Sequence, residues 1–193
     1  MRARALLSLA AAAGCAALLP ASVSAGSLTV SESPTTAGAA STETLTIGAS
    51  KALASMTIGG EHIRHHGAPG TPPDGTVVGS LQVNPSPPLC SGSSSYDLLW
   101  VAPDPGSGAV AQMEATNVLN SFPVYVVEDS SGYQTVLPRI PTTAVCARAS
   151  TFTVTFGSSV HVNPSPPGTY SLAVTLTYTD NSTDSLSATY VTT

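Results

Sequence analysis

The sequence predicts an all-β protein, an antiparallel β-sandwich, and three observations carry that reading. Short runs alternate apolar and polar residues with the period of two that sets one face of a strand on a core. Clusters of Gly, Pro, Asn and Ser separate the runs. No stretch sustains the longer period of an amphipathic helix. The clearest run is near the C-terminus, where Tyr170, Leu172, Val174, Leu176 and Tyr178 alternate with Ser171, Ala173, Thr175, Thr177 and Thr179. The turn-forming segment Asp180-Asn-Ser-Thr183 follows, then a second alternation in Leu186, Ala188 and Tyr190, so this end reads as a hairpin.

Taken in order, the chain opens with Arg2 and Arg4, an apolar run from Ala5 to Leu19, Pro20, and the small residues Val23-Ser24-Ala25. This is the pattern of a secretory signal peptide over residues 1–25, too short to span a bilayer, and the expected product is exported, secreted or held at the cell surface. Cleavage before Cys15 with lipid anchoring there is the alternative. Leu28 and Val30 begin a short strand. Thr44 to Ile47 and Met56 to Ile58 give two more, and residues 59–75 read as a Gly, Pro and His loop. Thr76 to Val83 is a strand ending in Asn84-Pro-Ser-Pro-Pro88, whose prolines cannot donate to a ladder. Tyr96 to Val101 holds the only Trp, Trp100, as a core aromatic; Pro103 to Gly108 is a turn-rich connection.

Ala109 to Leu119 fits neither the strand nor the helix period and stays open between them. Pro123 to Val127, Tyr133 to Leu137 and Thr151 to Phe156 complete a set of about eleven strands. The hexapeptide Val-Asn-Pro-Ser-Pro-Pro occurs at Val83 to Pro88 and again at Val162 to Pro167, which raises a tandem repeat as one reading. Residues 26–193 are expected to form one β-sandwich domain, with any subdivision near residue 105.

Charged residues make up 9% of the chain, against a usual share of about a quarter. Ser and Thr together number 51, so hydroxyls supply the polarity. Beyond residue 25, four basic residues (Lys51, Arg64, Arg139, Arg148) face eleven acidic ones. That balance cannot neutralise a row of phosphates, so nucleic acid is not an expected partner. No further apolar run is long enough to be a transmembrane segment. Cys90 and Cys146 remain after the leader, and an oxidising compartment makes them a disulfide that would stabilise the fold by about 4 kcal/mol on the chain-entropy model. Free thiols are the alternative.

The closing segment, Gly168-Thr-Tyr170 followed by Val174-Thr-Leu-Thr-Tyr-Thr-Asp-Asn181, resembles the last two strands of PKD and related bacterial immunoglobulin-like modules. That resemblance implies an immunoglobulin-like β-sandwich. The order Cys90, Trp100, Cys146 is similar to the immunoglobulin arrangement of a Trp packed on an inter-sheet disulfide. The leader, low charge, abundant Thr and Gly, and the Gly-x-Tyr strand also resemble exported pilus subunits. That likeness implies a segment such as Gly26 to Val30 donated to a neighbouring copy.

Among chemistry-bearing residues, Glu61-His-Ile-Arg-His-His66 is the one dense group of potential metal ligands. On a helix His62, His65 and His66 would share a face, but Gly59, Gly60, Gly67 and Pro69 bracket them and residue 63 is Ile where a zinc protease motif has Glu. A solvated His-rich loop is the plainer reading. His161 stands alone beside a strand end. No Gly-x-Ser-x-Gly elbow occurs. Glu128 and Asp129 are adjacent and point to opposite faces of a strand. Asp180, Asn181 and Asp184 offer too few oxygens for Ca2+. The expectation is therefore a non-catalytic exported β-sandwich without a cofactor, acting in adhesion or in binding an extracellular protein or glycan. The alternatives are a pilus or coat subunit assembling with copies of itself, and a metal-dependent hydrolase using His62, His65 and His66.

Overall fold

The computed structural model describes residues 26–85, 94–129, 132–140 and 150–193. The expected signal peptide over residues 1–25, with Cys15, and the expected disulfide of Cys90 and Cys146 lie outside them, and the hexapeptide at Val83 to Pro88 runs out of them. Eleven strands are formed among the described residues: β1 Ser27–Ser33, β2 Thr42–Ala49, β3 Leu53–Gly59, β4 Val77–Pro85, β5 Ser94–Val101, β6 Ala109–Thr116, β7 Ser121–Asp129, β8 Gly132–Leu137, β9 Ser150–Phe156, β10 Gly168–Tyr178 and β11 Thr183–Thr192. No helix occurs among the described residues, so none there is long and apolar enough to cross a membrane.

All pairings are antiparallel, and one continuous sheet runs in the order β1-β2-β9-β4-β5-β6-β7-β8-β3-β10-β11. The two ends of that order come back together. Thr193 N donates to the Thr35 carbonyl at 2.8 Å and Ala37 N to the Thr193 carbonyl at 2.9 Å. A Cβ on Gly26 would stand 3.0 Å from Leu186. The sheet is thus nearly closed and barrel-like, which hides most of its edge.

Alternation decides what fills the interior. Leu45 and Ile47 of β2, Phe152, Val154 and Phe156 of β9, and Leu172, Val174, Leu176 and Tyr178 of β10 are all buried on the inward parity. Trp100 is fully buried and its ring stacks on His66, with centroids 5.7 Å apart. One apolar cluster contains them all. Ala109 to Thr116 is a strand, and a register shift between Ala109 and Ala111 interrupts its period. Beyond this bulge Ala111, Met113 and Ala115 take the inward parity, and Gln112 is buried on the opposite face, against Asp104. Gln112 is satisfied there because its side chain accepts from Asp104 N at 2.8 Å and donates to Asp104 Oδ2 at 3.2 Å.

Leu28 and Val30 lie in β1, paired within the chain to Ile47 and Leu45. The second copy of the hexapeptide forms the loop between β9 and β10.

Candidate functional site

The inward parity of β1 and β2 carries carboxylates where the apolar runs end. Glu43 shares its face with Leu45, Ile47 and Ala49, and Glu32 stands opposite it in the β1–β2 ladder. Glu61 arrives from the other end of the sheet, just after β3. Its approach depends on Gly60, which has φ +89° and where a Cβ would lie 2.6 Å from the Ser171 carbonyl. His161 comes from the turn after β9, where Val160 N and His161 N both donate to the Gly157 carbonyl at 3.0 Å. Isolated bridges from Ile63 to His161 and from Ala40 to Val162 tuck this turn between the other two segments. Glu43, Glu61 and His161 are buried, and the side chain of Glu32 is 1% exposed.

Hydrogen bonds around His161 fix its tautomer. Asn163 Nδ2 donates to the carbonyls of Pro34 at 2.7 Å and Thr36 at 2.9 Å, so Asn163 Oδ1 is free to accept. Ser41 Oγ donates to that oxygen at 2.6 Å. With its one proton on the shorter bond to Asn163, Ser41 can then only accept from His161 Nδ1, 2.8 Å away, and its 3.2 Å contact with Glu32 Oε2 takes the proton of the Glu32 carboxyl. This leaves the lone pair of His161 Nε2 facing Glu43 Oε2 at 3.7 Å, with no hydrogen bond. With the carboxyls ionised, six buried atoms find no donor here: Glu32 Oε1, both oxygens of Glu43, both oxygens of Glu61, and His161 Nε2; protonated carboxyls can hydrogen-bond from Glu43 to Glu32 and to Glu61.

The electrostatics follow from that crowding. Burial, then the neighbouring Glu43 carboxyl, pushes Glu32 up to about 9. Burial, then Glu61, pushes Glu43 up to about 11, and burial raises Glu61 to about 7. Burial first and His62 second hold His161 down to about 4. The Tyr190 hydroxyl, also buried and without a partner, is raised by burial and then by the three carboxyls. Burying ionised carboxylates without a counter-charge costs far more than burying the acids, so the group must hold protons or a cation. Glu32, Glu43 and His161 each offer a ligand atom, all within 4.8 Å of one another.

A groove of ≈470 Å³ lies beside the cluster, and Asn163 belongs to both. Its walls include His62, Arg64, His65, Tyr133 and Tyr170. His65 Nε2 is 2.8 Å from the Tyr133 hydroxyl, and the two rings meet edge to face. His62 meets Tyr170 edge to face, and Tyr170 stacks on Tyr190. Arg64 Nη1 donates to the Pro69 carbonyl at 2.9 Å, which holds the guanidinium in place.

The three histidines singled out as metal candidates take separate partners: His62 with Tyr170, His65 with Tyr133, and His66 with Trp100 and with Asp74 Oδ1 at 2.7 Å. Asp180 and Asp184 also diverge. Lys51 Nζ donates to Asp180 at 2.9 Å, and the Tyr178 hydroxyl donates to Asp184 at 2.6 Å. Sequence reasoning passed over Glu32, Glu43 and Ser41, set His161 aside, and noted Glu61 only as part of the His62 to His66 group. The available signal was parity, since Glu43 and Glu32 continue the inward rows Leu45, Ile47 and Leu28, Val30.

No family model, curated protein or solved structure matches the chain.

Proposed function

We propose that the protein is an exported, non-catalytic binding module whose groove between His62, Arg64, His65, Tyr133 and Tyr170 receives an extracellular glycan. The convergence of two tyrosine rings, two imidazoles and one guanidinium on one concavity carries this reading. Sugar rings present C–H faces that pack on aromatic side chains and hydroxyls that exchange hydrogen bonds with His, Tyr and Arg, so a site with few polar groups on an apolar wall suits them. The chain's low charge fits a neutral, hydroxyl-rich ligand better than a polyanion.

The non-catalytic half of the proposal has its own support. Ser41, His161 and Glu43 have the composition of a nucleophile, base and acid set, yet all three are fully buried, and Ser41 donates its proton to Asn163. An external substrate has no path to that hydroxyl.

Screening the purified protein against an array of glycans, followed by titration calorimetry on the best binder, tests the proposal. Tyr133→Ala and Arg64→Ala should each weaken binding by about tenfold or more with the fold retained, Tyr133→Ala also lowering the thermal midpoint because its ring packs on the core. A glycan bound with equal affinity by both variants, or no glycan bound at all, would refute it.

A further inference from the structure

We infer that Glu32, Glu43 and His161, with Glu61 beside them, form a buried binding site for a divalent transition-metal cation of the Zn2+ or Mn2+ class. The site would lie where the two ends of the sheet meet. This is separate from the groove reading and does not depend on it.

Three observations carry the inference. The hydrogen bonds from Asn163 through Ser41 spend His161 Nδ1 and leave the Nε2 lone pair directed at a carboxylate oxygen. Two acceptors facing each other repel unless something positive lies between them. Their separation, 3.7 Å, is too long for a hydrogen bond. It is close to the about 3.4 Å between two ligands held at about 2.1 Å in a tetrahedral zinc site. Finally, Glu32, Glu43 and His161 each offer a ligand atom, all within 4.8 Å of one another, and the two Glu43 oxygens and His161 Nε2 have no donor while the carboxyls are ionised.

The donor set selects the metal class. One imidazole with two or three carboxylates and no thiolate suits a borderline cation; Ca2+ and Mg2+ prefer oxygen alone. Ser41 acts as a positioning residue, since its bond to Nδ1 orients the ring. The ligands come from β1, from β2, from the segment after β3 and from the turn after β9, so the ion would tie one end of the sheet, β1-β2-β9, to the other, near β3. Burial of every ligand makes this a structural ion, closed to substrate.

The test uses the full secreted chain, purified without chelator and without an affinity histidine tag. Elemental analysis should find about one equivalent of transition metal per chain. Chelation should lower the thermal midpoint by about 5 °C or more, and stoichiometric Zn2+ or Mn2+, but not Mg2+, should restore it. Glu43→Gln and His161→Gln should each lose the ion. Should either variant fail to fold, calorimetry of Zn2+ binding to the unsubstituted, metal-stripped protein remains decisive, with one site per chain that Mg2+ does not fill. No metal and no response to chelation would overturn the proposal, as would a titration without a stoichiometric Zn2+ or Mn2+ site. Retention of a full equivalent by both variants would overturn it too, by placing the ion elsewhere.

Discussion

Glu32 and Glu43 face each other directly across the β1–β2 ladder, two carboxyl groups in register on the inward side of the sheet. Like charges so placed destabilise a strand pair even at a surface, and these are buried. Their presence requires a compensating positive charge, a proton or a metal ion, and this requirement organises the expected behaviour of the protein.

Without metal, stability should fall as pH rises above neutrality. A carboxyl whose folded-state pKa lies above its unfolded value of 4.5 costs nothing while both states are protonated. The cost grows as the unfolded state ionises and the folded state keeps its proton. His161 acts in the opposite sense, because its depressed pKa penalises folding only below the unfolded value of 6.5. Between pH 6.5 and 9 the carboxyls alone set the slope. Urea denaturation of chelator-treated protein should therefore give a lower midpoint at pH 9 than at pH 6.5, and saturating Zn2+ should flatten the difference.

Ser41→Ala should destabilise by about 2–4 kcal/mol, since it strands Asn163 Oδ1 and His161 Nδ1 in a fully buried place. Chemical denaturation at neutral pH measures it.

Gly60→Ala should cost about 2–3 kcal/mol. Its φ of +89° disfavours any side chain, and the added Cβ would press on the Ser171 carbonyl. Since Gly60 sets the entry of Glu61, thermal melts of this variant should also show a smaller response to added metal than the parent.

Trp100, the single Trp, is fully buried against His66. Its emission should be blue-shifted in the folded protein and move red on unfolding. Trp100→Ala should cost about 3–5 kcal/mol in equilibrium denaturation.

The strands were legible because alternation is a local signal: every inward residue of the Leu172 to Tyr178 run is buried as its parity requires. Ala109 to Leu119 was not legible, since a bulge near Val110 shifts the parity and Leu119 is 83% exposed in the turn that follows. Strand order was hidden for a different reason. β2 pairs with β9 and β3 with β10, partners more than a hundred residues apart, and nothing in either segment names the other. The buried cluster was hidden the same way. His62, His65 and His66 stand out because they are dense in sequence, whereas Glu32, Glu43 and His161 are dispersed along the chain and meet Glu61 only when the sheet closes.

An anomalous difference map from crystals of the full chain, collected on both sides of the zinc edge after growth with stoichiometric Zn2+, tests most directly whether the buried charge is answered by metal. The expected result is one strong peak bounded by Glu32, Glu43 and His161 Nε2, with ligand distances of about 2.0–2.2 Å. An empty map there, with the Glu32 and Glu43 carboxyls in short oxygen–oxygen contact, would show that shared protons hold the cluster and would contradict the account.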